Sequence, residues 1–115
     1  MQGKLRNENG TVVCERCTVA ANPFSRMRGL LGRSGLDEGE GLLLRPAGSI
    51  HTFFMRFPID AVFLDAERRV LKVAAGVRPW RTAAAKRSRE VLELAAGEAA
   101  RVGLAAGDVL QLEVS

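Results

Sequence analysis

The stretch IDAVFLDAERRVLKVA, residues 59–74, decides the fold class. Ile59–Leu64 and Val70–Ala74 are short apolar runs rich in β-branched residues, and the polar segment 65–69 separates them. Two runs of this kind with a polar connection predict a β-hairpin with a loop of several residues. The middle of the chain is therefore predicted to consist of strands.

Strand patterns continue on both sides of this hairpin. In VLQLEV, residues 109–114, apolar and polar side chains alternate, as in a strand with one buried face. The segment 11–20 is rich in β-branched residues and follows a glycine. The predicted strands are Thr11–Ala20, Leu42–Leu44, Ile50–Phe57, Ile59–Leu64, Val70–Ala74, Val91–Leu94 and Val109–Val114.

Helical signals are confined to two places. Asn22 suits an N-cap and Pro23 the first helical position, so a short N-terminal helix is predicted there. Gly97–Val102 predicts one helical turn, with Gly103 as its left-handed cap. The apolar face of the first helix would carry, at helical spacing, Phe24, Met27, Leu30 and Leu31.

Length and composition agree with one mainly β domain. The 115 residues are 47% hydrophobic and 26% charged, which is typical of a globular chain. We expect an N-terminal tail over residues 1–10 and a single β-rich sandwich or barrel over 11–115. No apolar run is long enough to span a membrane and the first residues resemble no secretory signal, so we expect a cytoplasmic protein without a membrane partner.

The chain is basic, with 17 Lys and Arg against 13 Asp and Glu. The segment Arg78–Arg89 carries five positive charges, no negative charge and the single tryptophan, Trp80. Such a loop could hold single-stranded nucleic acid through phosphate contacts and base stacking. A dedicated nucleic-acid protein normally has a larger excess of charge and several aromatic residues. We therefore expect a solvated basic loop and keep nucleic-acid binding as an alternative.

The run SIHTFFMRFPIDAVFLD, Ser49 to Asp65, resembles the signature of the domain of unknown function 192 family of bacteria and archaea. The resemblance covers roughly residues 11–114. It implies a compact, jelly-roll-like β-sandwich and no known reaction. Further matching motifs are Arg28-Gly29-Leu30, Val91–Leu94 with Gly97, and Gly107-Asp108.

The same run contains the candidate ligand-binding residues. His51 is the only histidine, and it lies beside a hydroxyl and a polarisable thioether, which suits a shallow small-molecule pocket. The alternative is a hydrogen-bonded histidine that shapes the turn at Pro58. Trp80 is either a lid over this pocket or a core residue. The predicted ligand-binding set is His51, Thr52, Met55, Arg56 and Trp80.

Three residues are predicted to support the site, namely Arg28, Pro58 and Asp60. We expect a buried Arg28–Asp60 ion pair that joins the helix to the sheet. The competing hypothesis places Arg28 and Arg56 beside His51 as an anion clamp.

The pair Cys14-x-x-Cys17 does not predict a metal or redox site. A structural zinc site needs four ligands, and one distant histidine does not complete the set. In a regular strand, residues three apart point to opposite faces. We expect two reduced cysteines and no metal or cofactor, with a site shared between two chains as the alternative.

These observations favour a non-catalytic binding or accessory domain whose pocket takes a small molecule or peptide. The alternative is a small hydrolase or lyase in which His51 acts as general base, helped by Ser49 or Asp60. No nucleophile elbow surrounds Ser49, and no third group that would orient the ring is evident. Weak single-stranded nucleic-acid binding through the Arg78–Arg89 loop is the second alternative. The oligomeric state is left open.

Overall fold

The computed structural model describes residues 1–22 and 29–115, and this part of the chain forms nine strands and one short helix. The elements are β1 (Gln2–Asn7), β2 (Val12–Ala20), β3 (Glu40–Leu44), β4 (Ser49–His51), β5 (Ile59–Leu64), β6 (Val70–Val77), β7 (Thr82–Ala84), β8 (Glu90–Ala95), α1 (Glu98–Arg101) and β9 (Leu110–Val114). The prediction of a mainly β domain is confirmed.

Seven strands form one curled sheet in the order β6-β5-β8-β3-β2-β1-β9. Neighbouring strands are antiparallel except for β2 and β3, which run parallel. The two edge strands approach each other, because Arg69 and Val109 form an isolated antiparallel bridge. The Val70 N–H also donates to the Asp108 carbonyl at 2.7 Å. The sheet is thereby closed on itself at one end, and its concave face becomes the interior of a barrel.

The barrel interior holds the larger apolar cluster. Its buried side chains are Leu5, Val13, Cys14, Cys17, Val19, Leu43, Val62, Leu64, Val70, Leu92, Leu94, Ala99, Leu104 and Leu110. Side chains alternate across a strand, so β3, β5 and β8 also present a second set to the outer face. That face is covered, and these three strands are buried on both sides.

A small second sheet, made of β4 and β7, covers the outer face. Ile50 of β4 is buried against the outer face, and Ala83 of β7 packs on the same cluster. The cluster unites buried residues of both layers: Ala20, Leu30, Leu42, Leu44, Ile50, Met55, Ile59, Ala61, Phe63 and Val91. Residues 49–57 of the signature run and strand β7 therefore form one layer over the barrel, which we call the cover.

Three expectations about the elements need correction. The strand predicted over Ile50–Phe57 ends at His51, because the chain turns and the Met55 N–H donates to the Thr52 carbonyl. Residues 2–7, expected in a tail, form β1 between β2 and β9. Strand β7 was not predicted at all, since its three residues carry no periodic pattern.

The two helical predictions have different outcomes. The turn near Gly97 is present as α1, and Gly103 after it has a left-handed backbone with φ of 74°. The helix predicted to start at Asn22 falls on residues 23–28, outside the described residues.

A β-bulge changes the expected geometry of the two cysteines. Leu5 pairs with Cys14 and Gly3 with Cys17, so β2 has one extra residue between these pairs. The bulge directs Glu15 and Arg16 outward, while both cysteines are buried inside the barrel. The two thiols are free, and a hydrogen bond between them, together with burial, raises the pKa of Cys14. The expectation that they point to opposite faces is wrong.

Candidate ligand-binding site

A cavity of about 350 Å³ lies between the cover and the outer face of the sheet. Its floor includes Leu44 of β3 and Glu93 of β8, and Ile50 and Met55 close it from the cover. The described residues that line it are Gly29, Leu30, Leu31, Leu44, Pro46, Ala47, Gly48, Ser49, Ile50, His51, Met55 and Glu93. The volume lies within the range of small-molecule sites, and the lining combines apolar side chains with exposed polar atoms.

Glu93 is the unusual member of this lining. Val91 and Glu93 point to the outer face of β8, whereas Leu92 and Leu94 point into the barrel. Glu93 is only 4% exposed, and burial raises the pKa of its carboxyl group to about 7. Within the described part of the chain, its carboxyl group has no hydrogen bond and no ion pair. A buried carboxyl without a partner is costly, so its place on a cavity wall calls for an explanation.

The neighbours of Glu93 in the sheet leave room above it. Ala61 of β5 lies directly opposite on one side and Leu42 of β3 on the other. The alanine has almost no side chain, so the space over this part of the sheet is not filled from β5. The carboxyl group is consequently buried at the base of the cavity.

The rim formed by residues 46–49 is fixed to the chain before β8. The Ala47 N–H donates to the Arg89 carbonyl at 2.8 Å, and the Ser88 hydroxyl donates to the Ala47 carbonyl at 3.0 Å. His51 ends this rim, where its exposed ring stacks on Phe53 with the ring centres 5.0 Å apart. One wall of the cavity is therefore a braced loop and not a free segment.

Thr52 has a role that differs from the predicted ligand contact. Its hydroxyl donates to the Arg78 carbonyl at 2.6 Å and accepts from the Arg81 N–H at 2.9 Å. Its backbone carbonyl accepts from the Trp80 N–H at 3.0 Å. Thr52 is fully buried and is not part of the cavity lining. These bonds attach the β6–β7 connection to the cover.

Trp80 belongs to an aromatic cluster beside the cavity. It is 55% exposed, so the alternative of a core residue is wrong. Its ring centre lies 5.8 Å from that of Phe53 and 4.6 Å from that of Phe54, which is 71% exposed. Trp80 and Phe54 both have a positive φ, of 66° and 67°, which is uncommon for bulky residues. Arg56, like Trp80, does not line the cavity.

Asp60 is buried in a different region, where β5 meets α1. Its Oδ1 accepts from the Gly76 N–H at 2.9 Å, and its Oδ2 accepts from the Gly97 and Ala99 N–H groups at 3.0 and 2.9 Å. This carboxyl group caps the first turn of α1 from a distant strand. The predicted partner Arg28 lies outside the described residues, so the ion pair stays a prediction, and Pro58 is an exposed residue just before β5.

The residues named for a hydrolase or lyase are only partly brought together. Ser49 and His51 both line the cavity, but within the described residues no hydrogen bond joins their side chains. Asp60 does not line it and uses both carboxylate oxygens on backbone groups. Among the described residues, no group of three His, Cys, Asp or Glu is arranged to hold a metal ion.

Sequence reasoning missed Glu93 as a site residue. The signal is present in Val91–Leu94, where one carboxylate interrupts an otherwise apolar strand. Such a residue is ordinary on an edge strand with a solvated face. It becomes unusual only because β8 lies between β3 and β5 and is covered on both faces.

Comparison with known proteins places the chain in a family. The sequence profile of DUF192, described as Uncharacterized ACR, matches residues 4–112. The chain belongs to this family. A UPF0127 protein of Thermococcus sibiricus is 30% identical to this DUF192 chain, with 96% of the chain and 74% of that protein covered. A UPF0127 protein of Pyrococcus abyssi is 35% identical over 86 residues, which cover 69% of this chain and 70% of that protein.

Two crystal structures resemble this DUF192 domain. A protein of unknown function from Novosphingobium aromaticivorans has a TM-score of 0.82 and 26% identity, with 96% of this chain and 84% of that chain covered. A protein from Sinorhizobium meliloti has a TM-score of 0.86 and 21% identity, with 97% and 94% covered. The barrel with its cover is thus the fold of these proteins as well. No helix among the described residues is long and apolar enough to cross a membrane.

Proposed function

We propose that this DUF192 domain binds a small molecule in the cavity between the cover and the barrel. Glu93 is the anchor at the floor, and His51 and Ser49 are polar groups at the rim. Met55 and Ile50 provide apolar contact from the cover. The domain acts as a binding or accessory module and not as an enzyme in this proposal.

The observation that carries the proposal is the buried carboxyl group of Glu93 with no partner in the described part of the chain. Burying a polar group without a hydrogen bond costs about 1–3 kcal/mol in proteins. A ligand that pairs with the carboxyl group would offset this cost. The braced rim supports the same reading, because a pre-formed wall lowers the entropy lost on binding.

A thermal-shift screen tests the proposal directly. The library holds amines, acids, sugars, nucleotides and short peptides, and the proteins are wild type, Glu93→Gln and His51→Ala. A ligand present at about 100 times its Kd adds about 2.7 kcal/mol of stability. We expect such a compound to raise the Tm of wild type by several degrees and that of Glu93→Gln by much less.

The matched control for this screen is Glu67→Gln. Glu67 is exposed in the turn between β5 and β6 and does not line the cavity. The same chemical change there leaves the ligand response as in wild type. A library without any hit on wild type contradicts the proposal, as does a hit to which Glu93→Gln responds equally.

The aromatic cluster favours a second candidate function, single-stranded nucleic-acid binding. The exposed rings of Phe53 and Phe54 both contact the exposed ring of Trp80, which lies within the basic segment Arg78–Arg89. Exposed rings next to positive charges are the usual elements of a base-stacking surface. This candidate uses neither Glu93 nor the cavity.

The single tryptophan makes the second candidate easy to test, because all tryptophan fluorescence comes from Trp80. A stacked base quenches this fluorescence, and the effect weakens steeply as salt rises, since neutralised phosphates release counterions. The experiment is a titration with an oligothymidylate at two salt concentrations. Unchanged fluorescence, or quenching that is independent of salt, contradicts nucleic-acid binding.

A further inference from the structure

We infer that the cavity selects a small organic amine, with its ammonium group on the Glu93 carboxylate and its apolar body against the cover. This inference rests on the proposed small-molecule function. It names the chemical class that the cavity would take.

The charges around the cavity favour a cationic ligand. Of the described residues in the lining, Glu93 and His51 alone are titratable, and His51 is at the exposed rim. None of the described lining residues is Lys or Arg, so this part of the chain supplies no counter-charge to the carboxylate at the floor. A buried carboxylate needs an opposite charge or several hydrogen-bond donors, and an ammonium group provides both. An anionic ligand would instead be repelled.

The lining also specifies the body of the ligand. Leu30, Leu44, Ile50 and Met55 line the same cavity as Glu93 and add hydrocarbon and thioether surface to it. An alkyl or phenylalkyl chain buries apolar surface against these four side chains, while the phosphate of a nucleotide would be repelled by the carboxylate. A volume of about 350 Å³ suits a compact molecule. The expected ligand is therefore a short, amphipathic primary amine.

Three probes of nearly equal shape separate charge from size, namely 2-phenylethylamine, 2-phenylethanol and 3-phenylpropanoate. We expect calorimetry at pH 8 to give at least tenfold tighter binding for the amine than for the alcohol. The carboxylate should not bind. In Glu93→Gln, the amine loses this advantage, and in Glu67→Gln it keeps it.

The same amine has a characteristic pH dependence. Between pH 8 and pH 6, Glu93 changes from mostly ionised to mostly protonated, so amine affinity should fall about tenfold in wild type. Among the described residues, His51 is the other titratable group that faces the cavity, and any dependence caused by its protonation survives in Glu93→Gln. A fall in affinity of the same size in both proteins contradicts the role of Glu93.

The outcomes distinguish this inference from the proposed function. If the amine and the alcohol bind wild type equally well, the inference that the cavity selects an amine is wrong, while the proposed small-molecule function stands. Absence of binding by all three probes, while the broad screen finds another ligand, also overturns the amine alone. Absence of any ligand in either experiment overturns both. The comparison of probes on wild type needs no variant, so a variant that fails to fold does not weaken it.

Discussion

Asp60 and Glu93 are two buried carboxylic acids on neighbouring strands, and their surroundings differ completely. Asp60 is 1% exposed and accepts three backbone hydrogen bonds, whereas Glu93 is 4% exposed and has no described partner. Strands β5 and β8 pair so that Asp60 lies opposite Leu94, and Glu93 lies opposite Ala61. Burial alone therefore does not distinguish a carboxylate that the fold satisfies from one that it leaves without a partner. The distinction comes from whether the fold itself satisfies the oxygens.

Of the substitutions that test this comparison, we expect the largest loss of stability at Asp60. Asp60→Ala removes the acceptor of three backbone N–H groups and leaves them unsatisfied, two at the start of α1 and one at Gly76 of β6. Because each such group costs about 1–3 kcal/mol, we expect a loss of about 4 kcal/mol in the free energy of unfolding. Urea denaturation measures it, with Asp37→Ala as the control at an exposed position. A loss below about 1 kcal/mol would contradict the capping role.

The second effect concerns the pH dependence of stability at Glu93. Burial raises the folded pKa from 4.5 to about 7, so the folded state holds this proton more tightly than the unfolded state. The stabilisation that protonation gives is fully present below pH 4.5 and is lost as the pH rises to 7. The difference amounts to about 3 kcal/mol.

The measurement is the free energy of unfolding of wild type minus that of Glu93→Gln across pH 4 to 8, since glutamine does not titrate. The difference should fall with rising pH over this window and become flat above about pH 7.5. At Asp60 the same comparison with Asp60→Asn should show wild type as the more stable protein at pH 7. If the difference between wild type and Glu93→Gln does not change with pH, the carboxyl group of Glu93 is not a buried acid without a partner.

The smallest effect is expected at His51. Its ring is exposed and its one described ring contact is the stack on Phe53, so His51→Ala should lose about 1 kcal/mol or less. Ser49→Ala in the same strand serves as the control. A loss of several kcal/mol would favour the alternative in which His51 shapes the turn at Pro58. Thermal denaturation of the two variants beside wild type decides between these interpretations.

The sequence predicted the architecture better than the site. Strands such as β5 and β9 can be predicted because the pattern of apolar residues within the strand itself is sufficient. The role of Glu93 depends on which strands flank β8, and that is a property of the long-range topology. Thr52 looked like a ligand contact because its hydroxyl is polar, yet its partners are backbone groups almost 30 residues away. Residues whose role depends on distant backbone cannot be assigned from local spacing.

Because of the bulge in β2, two buried thiols can be used to measure opening of the barrel. Both thiols are fully buried inside the barrel, on the opposite side of the sheet from the cavity. A thiol-reactive reagent can modify Cys14 or Cys17 only after the strands separate, so the labelling rate measures the frequency of that opening. A compound that slows labelling has stabilised the whole barrel from its outer surface. The labelling rate of the two thiols therefore detects a bound ligand that does not contact them.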